Sequence, residues 1–273
     1  MIWRIGRERI LLLGGAAALL MQIAHPLVAA GVADHSDFRA DPFRRLQATL
    51  DATLRITFGD REQAFAAAEA VRKVHSRVRG RLERPAGPFA AGTLYDASDP
   101  HLAMWVHASL LGTSLQVYGR LVRPLTLATR ERYYQEAKPF ARLFGVGDDV
   151  LPADYRAFRA YLAGMIDGPD LAVGEDARAL AAHILAPPVP LPARPANPAL
   201  RAVTAWLLPA RLRREFGLPW GLLERALVTG SGAPGRLAVW MLPPRLRYWP
   251  HHRTALDRVV KRGNEQGRSS VFH

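Results

Sequence analysis

A single histidine, His75, stands in an otherwise apolar stripe within residues 60–80. The other members recur at steps of three and four, which places them and the imidazole on one face of a helix: Ala64, Ala67, Ala68, Val71 and Val78. Asp60 can cap the start of this helix, and Gly80 can end it. A histidine in such a stripe is commonly a core residue with a hydrogen-bond partner. A neutral imidazole presented by a rigid helix into an apolar pocket is also how proteins hold haem iron.

Two arginines flank this histidine. Arg72 lies one helical turn before His75, and Arg79 lies one turn after it. If the stripe faces a haem, guanidinium groups at these positions can pair with the haem propionates. The stripe alone leaves the structural and the haem-binding interpretation open.

An arginine and a threonine share one face of the preceding helix. This helix is predicted over residues 42–58, because its first residue is a proline. The expected buried stripe consists of Leu46, Thr49, Leu50, Thr53 and Leu54. Arg45 lies one turn before Thr49, and an arginine on a buried face needs a partner for its charge. Gly59 ends this helix directly before Asp60, so the two helices are expected to be neighbours in space.

Composition restricts the chemistry. The 273 residues contain no cysteine, which excludes disulfides, thiolate haem ligation, cysteine-based zinc or iron–sulfur sites and cysteine nucleophiles. The chain carries 37 basic and 24 acidic residues, for a net charge of +13. No nucleic-acid-binding motif accompanies this charge, so we expect no nucleic-acid partner. A positive surface suits anionic lipid or an acidic protein partner instead.

The apolar segment at residues 10–24 follows several basic residues, as in a signal peptide. It is short for a membrane span, and Gln22, His25 and Pro26 interrupt its continuation. We therefore expect a buried core helix in a cytoplasmic protein, with a signal or anchor as the alternative. Peripheral membrane contact through the basic surface stays open.

The rest of the sequence predicts helices and connecting loops. The segment from residue 100 is apolar nearly all round, which predicts a central helix. Further helices are expected over residues 129–144 and 199–216, and a loop is expected over residues 81–98. No segment shows the period-two alternation of a half-buried strand. We predict an all-α fold.

One multi-helix, bundle-like domain is expected over residues 1–273. Residues 186–198 contain six prolines and predict an internal linker, and residues 245–273 form a basic C-terminal tail. The motifs of nucleotide-binding sites, di-iron bundles and hydrolase triads do not occur in the sequence. The histidines in apolar settings therefore remain the main candidates for chemistry.

Five separated segments together resemble one known family. They are AHPLVAAGVADHSDF (24–38), DPFRRLQAT (41–49), VHSRVRG (74–80), YDASDPHLAMWVHASL (95–110) and ERYYQEA (131–137). In this order they are similar to the DUF2236 family, the catalytic domain of oxygenase MpaB and rubber oxygenase. LPARLRREFGLPW (208–220) is similar to the less distinctive C-terminal half of that family.

The resemblance implies an all-α domain that encloses an apolar pocket for one b-type haem. His75 then matches the proximal iron ligand, and Arg45 and Thr49 match a distal arginine and threonine spaced four apart. His107, on the expected central helix, is a further candidate contact to the cofactor. In the rubber enzymes a lysine immediately precedes the threonine. Ala48 occupies that position here, which argues against polyisoprene itself as the substrate.

The implied function is an O2-dependent oxidation or C=C cleavage of an apolar, unsaturated, isoprenoid-like substrate, with haem b as cofactor and O2 as co-substrate. A haem-binding carrier or sensor without oxygenase turnover is the alternative. A non-haem protein in which His75 is structural is a third interpretation. The other histidines of the matched segments, His25, His35 and His101, are expected to tie helix ends together.

Overall fold

Helices dominate the architecture. The computed structural model describes residues 1–35, 42–187, 197–229 and 232–270, except for the side chains of residues 42–45, 233 and 262–270. The helices are α1 (Ile2–Gly6), a 3₁₀ helix (Arg9–Gly14), α2 (Gly15–Ile23), α3 (Pro26–His35), α4 (Pro42–Phe58), α5 (Arg61–His75), α6 (Pro100–Leu121), α7 (Leu127–Arg142), α8 (Tyr155–Asp167), α9 (Glu175–Leu185), α10 (Asn197–Leu207), α11 (Ala210–Glu215), α12 (Leu222–Thr229), α13 (Ala233–Met241), α14 (Pro244–Arg247) and α15 (Pro250–Ser270). The all-α prediction is confirmed.

Two short strands form an antiparallel pair between α5 and α6. They are β1 (Arg79–Arg81) and β2 (Leu94–Asp96), with Gly80 opposite Tyr95. A Cβ at Gly80 would lie 2.4 Å from the Tyr95 hydroxyl, so the glycine allows the tyrosine to cross this strand. The predicted loop is therefore wrong at β2. Strands of three residues are too short to show a period-two pattern.

Helix α6 is the centre of the core. It packs against α1, α2, α7, α8, α10 and α13, and its buried side chains lie on all of its faces, as the sequence predicts. Trp105 is fully buried, and its indole Nε1 donates a hydrogen bond to the Met21 carbonyl oxygen at 3.1 Å. One hydrophobic cluster lies towards α2, α9 and α10, and another towards α7 and α8. Side chains carried by α6 therefore lie at the junction of the two clusters.

The second half of the N-terminal apolar segment, in α2, lies in the core, whereas Leu12 and Leu13 of the preceding 3₁₀ helix are exposed. Leu20 and Ile23 of α2 are almost fully buried, which confirms the prediction of a core helix there. Taken singly, no helix in the described ranges has the length and hydropathy of a membrane span. The pair Arg9–Ile23 and Pro26–His35 meets that test only in combination, and the two parts are bent by 106° at their junction.

Helices α4 and α5 are neighbours, as expected, but two details differ from the prediction. Helix α5 ends at His75, because the residues around Gly80 pair with β2 instead of continuing the helix. The buried stripe of α4 is confirmed only at its C-terminal end, where Trp3 and Ala255 pack against Leu54 and Phe58. Towards the other end, Leu46 is 47% exposed and Thr49 is also exposed.

Two other helices differ at their ends. Helix α7 begins after Thr126, whose hydroxyl accepts a hydrogen bond from the Thr129 N–H at 3.2 Å, so the cap lies three residues before the predicted one. The helix predicted over residues 199–216 is divided into α10 and α11 at Pro209. Proline has no N–H to continue the backbone hydrogen bonds.

The basic C-terminal segment packs on the domain through α14 and α15. Ala255 and His252 of α15 are buried, and the His252 ring lies edge-on to Phe58 at 5.7 Å. The Arg247 guanidinium donates two hydrogen bonds, of 2.8 and 2.9 Å, to the buried Glu8 carboxylate. Residues 188–196 of the predicted linker and residues 271–273 lie outside the described residues.

Candidate functional site

His75 is the last residue of α5, and its side chain is half-buried. The start of this helix is fixed by a capping box. The Asp60 carboxylate accepts from the Gln63 N–H at 2.9 Å, and the Gln63 side chain accepts from the Asp60 N–H at 3.2 Å. The imidazole therefore lies at the C-terminal end of a helix whose N-terminus is stabilised by its cap. The helix dipole there favours positive charge, which suits an imidazole that ligates a cation.

An aromatic row links His75 to a second imidazole. The His75 ring lies 6.2 Å from the Phe144 ring, and Phe144 lies 5.4 Å from Phe140. Phe140, on α7, stacks on His107 of α6 at 5.9 Å with 24° between the planes. We call His75, Phe144, Phe140 and His107 the aromatic row. It brings together α5, α6 and the end of α7 through contacts between apolar ring faces.

His107 is buried at its end of the aromatic row. Its Nε2 has no hydrogen-bond partner within the described part of the chain. Burial lowers the pKa of His107 to about 4, so the imidazole is neutral at physiological pH. A buried polar nitrogen without a partner costs about 1–3 kcal/mol. A bound group that reaches this nitrogen would remove that cost.

Of the two arginines predicted beside His75, Arg72 lies in the last turn of α5 and Arg79 lies on β1, and both are exposed. The Arg72 guanidinium is paired with the Glu69 carboxylate and also donates to the Leu143 carbonyl oxygen at 3.2 Å. Arg79 lies on β1 instead of on a further helical turn, and its Nε donates to the Ser76 carbonyl oxygen at 3.1 Å. Both positive charges therefore flank the helix end, and Arg72 would have to share its charge with Glu69 to bind an anionic group.

The predicted distal pair belongs to α4. Thr49 is exposed, and its carbonyl oxygen accepts a hydrogen bond from the Thr53 hydroxyl at 2.8 Å. Arg45 lies in the same helix, but its side chain is outside the described residues. The structure places Thr49 on the helix that packs beside α5. A contact between this pair and the aromatic row therefore stays a prediction.

A polar network fixes the hairpin that follows His75. The Tyr95 hydroxyl donates to the Asp34 carboxylate, and His35 Nε2 lies 3.2 Å from the same hydroxyl and 3.1 Å from the Arg79 carbonyl oxygen. Burial is the main reason that the pKa of the Tyr95 hydroxyl is raised, and the hydrogen bond to Asp34 raises it further. These bonds tie the end of α3 to both strands. His35 thus has the structural role expected of it, and it restrains the chain directly after the candidate ligand.

The residues that sequence reasoning missed are Phe140 and Phe144. They are spaced i, i+4 along α7 and its C-terminal turn, which is the spacing of neighbours on one helix face. That spacing indicates a joint apolar surface. It does not indicate which helix the surface faces, because contact with His75 and His107 depends on how α5 and α6 pack around α7.

The donor set is compatible with haem, which needs only one ligand from the protein. In the part of the chain that the structure describes, no three His, Cys, Asp or Glu side chains converge as a metal centre requires. Haem supplies four nitrogen ligands itself, so a single imidazole such as that of His75 is sufficient to hold it. The aromatic row and the unpartnered His107 Nε2 suit a flat apolar group with iron chemistry at its centre.

A cavity of about 420 Å³ lies elsewhere, between the α4–α5 turn and the first turns of α15. Its walls include Arg55, Gln63, His251 and Arg258, and the aromatic row contributes none of its lining residues. The enclosed haem pocket expected from the sequence is therefore not shown by this cavity.

Acidification is expected to destabilise the apoprotein because of two buried histidines. Burial lowers the pKa values of His25 and His107 to about 4, with Asp170 and Asp99 partly opposing the shift at His25. The unfolded chain takes up these protons near pH 6.5, so below that pH it binds more protons than the folded chain. Unfolding free energy should then fall between pH 6.5 and 4, by at most about 1.4 kcal/mol per pH unit for each histidine. Urea unfolding at several pH values measures this slope.

His107→Phe provides the control for this pH dependence, since phenylalanine removes the titrating group and keeps a ring beside Phe140. The variant should show a shallower loss of stability on acidification than the parent protein. An identical slope in the two proteins would mean that His107 does not titrate as its burial requires.

Comparisons with known proteins identify the family. The family model described as the catalytic domain of ER-bound oxygenase mpaB/B′ and rubber oxygenase matches residues 2–242. Uncharacterized protein Mb2261 of Mycobacterium bovis and uncharacterized protein Rv2237 of Mycobacterium tuberculosis are each 30% identical to the chain over 237 residues, which cover 84% of this chain and 89% of theirs. No solved structure matches significantly. Because the family model covers all helices from α1 to α13, the chain belongs to the mpaB/rubber oxygenase catalytic-domain family.

Proposed function

We propose that this protein is a haem-dependent oxygenase that holds a b-type haem through His75 and oxidises an apolar, unsaturated, isoprenoid-like substrate with O2. Family membership supports the oxygenase activity. The observation that carries the haem assignment is the aromatic row, which runs from His75 to the buried His107. Among the described residues, none forms a hydrogen bond with His107 Nε2.

Each member of the site has a separate role in this proposal. His75 supplies the iron ligand from the end of α5. Arg72 and Arg79 supply positive charge at the exposed edge for the two propionates, with Glu69 displaced from or shared with Arg72. When bound, haem iron supplies the O2 chemistry that apolar side chains cannot perform. His107 stays neutral because of its lowered pKa and presents Nε2 as a single hydrogen-bonding group.

The distal pair is assigned to α4. The permanently charged Arg45 guanidinium can stabilise negative charge that develops on oxygen, and the Thr49 hydroxyl can donate one hydrogen bond. A guanidinium keeps its proton at any physiological pH, so it orients and stabilises without acting as an acid.

An apolar substrate suits the surroundings of these residues. Leu46 directly follows Arg45, and Val74 directly precedes His75. The side chains of Leu46 and Val74 are both exposed. Exposed apolar groups on both helices provide an entry surface that an alkene-rich chain can contact without losing hydrogen bonds to water. Ala48 stands where the rubber enzymes have a lysine, so we do not assign polyisoprene itself as the substrate.

Absorbance spectroscopy of the purified protein tests the cofactor. After incubation with haemin and removal of unbound haemin, we expect a Soret band that shifts on reduction with dithionite, and a pyridine haemochrome spectrum of the b type. Absence of a protein-bound Soret band would overturn the haem assignment.

Oxygen uptake then tests turnover. The reduced holoprotein is mixed with an isoprenoid alkene such as squalene, and dissolved O2 and carbonyl products are measured. We expect uptake that depends on both protein and alkene and exceeds that of free haemin. A normal haem spectrum with no uptake above free haemin would favour a carrier or sensor and contradict the oxygenase.

A further inference from the structure

Apolar side chains are exposed along three successive helices, α12 to α14. Leu222 is 86% exposed and Trp240 is 72% exposed. The whole set, which we call the α12–α14 surface, is Leu222, Leu223, Leu227, Leu237, Trp240, Met241, Leu242 and Leu246. A single exposed leucine is ordinary on a protein surface, whereas eight large apolar side chains within one short stretch indicate a contact surface.

The face of each helix that lies opposite these exposed side chains packs on the domain. Val228 of α12 and Val239 of α13 are buried, while Leu227 and Trp240, the residues beside them, are exposed. Helix α12 packs against α10, α13 packs against α6, and α14 packs against the 3₁₀ helix. The α12–α14 surface is therefore presented outwards by helices that already have an inner packing face.

The charges around this surface are almost entirely positive. Residues 218–247 contain four arginines and one acidic residue, Glu224, and one of these arginines, Arg247, is already paired with Glu8. The Glu224 carboxylate already accepts a hydrogen bond from the Gly221 N–H at 2.7 Å. Arg225 and Arg245 are exposed beside the leucines. Apolar groups interspersed with arginines match the chemistry of an anionic bilayer, where acyl chains lie beneath negatively charged headgroups.

We infer that the α12–α14 surface docks on an anionic lipid bilayer, with its leucines and Trp240 in the interfacial region and its arginines on the phosphates. A tryptophan at such a position can place its ring at the headgroup level, as interfacial tryptophans do. A second copy of this chain is a poorer occupant. It would bring the same arginines, and a net charge of +13, against each other.

This inference is independent of the haem proposal, because it rests on α12 to α14 alone.

Vesicle co-sedimentation of the full-length protein tests the docking. Phosphatidylcholine vesicles are compared with vesicles that contain 30% phosphatidylglycerol. We expect binding to the anionic vesicles that falls as salt is added, and weak binding to the neutral ones. In the double variant Leu222→Ser, Trp240→Ser, the partition coefficient on anionic vesicles should fall by about tenfold or more.

The matched control is Leu94→Ser, Leu127→Ser, which removes two leucines that are similarly exposed but lie on β2 and α7. It should bind anionic vesicles as the parent protein does, and circular dichroism should show that both variants keep the helical fold. Unchanged binding by the Leu222, Trp240 variant, or no binding by the parent protein, would overturn the inference. So would a variant that loses only self-association in light scattering, because a second copy would then occupy the surface.

Discussion

Replacement of His75 by alanine is expected to abolish haem binding and to leave the helical fold intact. The imidazole is the only proposed bond from protein to iron, so its removal leaves the porphyrin without an iron ligand and with only the weaker contacts to its ring and propionates. The side chain is half-buried and ends its helix, so the loss of stability should stay within about 1 kcal/mol. The Soret absorbance per mole of protein and the thermal midpoint measure the two effects.

His101→Ala is the matched control, because His101 is an exposed histidine at the start of α6. It should keep the full haem complement. Added imidazole should restore part of the Soret band in His75→Ala, since a free imidazole can enter the space left by the side chain. A His75→Ala protein with an unaltered haem spectrum would show that the ligand is another residue, and His107→Ala would then be the next variant to examine.

Among the ion pairs of the described residues, the one whose loss should destabilise the protein most is Glu8–Arg247, tested by replacement of Glu8 with glutamine. Glu8 is 1% exposed, and its carboxylate accepts both hydrogen bonds from Arg247. That contact, more than any other, raises the pKa of Arg247 against the effect of burial. Removal of the negative charge leaves a largely buried guanidinium without compensation, which typically costs about 3–5 kcal/mol. Urea unfolding at pH 7 measures the change.

Glu175→Gln is the control for this variant. Glu175 pairs with Arg84, but both side chains are well exposed, at 75% and 65%. An exposed pair of this kind contributes about 0–1 kcal/mol, so the control should unfold almost as the parent protein does. Equal effects of the two substitutions would mean that burial of the Glu8–Arg247 pair has no energetic consequence.

The Glu8–Arg247 pair also bears on the extent of the domain. Glu8 lies near the start of the segment that matches the family model, whereas Arg247 lies beyond its end at residue 242. The pair therefore connects α14 to the segment between α1 and the 3₁₀ helix. If Glu8→Gln broadens unfolding into two transitions, the basic C-terminal segment will have separated from the rest before global unfolding.

Local signals in the sequence determined most helices and the family. Helix α4 runs over the predicted residues, because a proline at its start and Gly59 at its end act on adjacent residues only. Asp99 and Pro100 likewise start α6 where expected, and its all-round apolarity indicates its central position. Family motifs also need no tertiary information, since each is a short segment in a fixed order.

Only the tertiary structure decided which parts of these helices meet. Helix α5 ends at His75 because Gly80 pairs with Tyr95, a residue fifteen positions away that no helix periodicity can reveal. Leu46 and Thr49 fit a buried stripe in the sequence, yet they are exposed, whereas Leu54 and Phe58 at the other end of α4 are covered by Trp3 of α1 and Ala255 of α15. The aromatic row and the Glu8–Arg247 pair likewise join residues far apart along the chain. Periodicity and caps report on neighbours within about four residues, whereas these contacts depend on how whole helices pack.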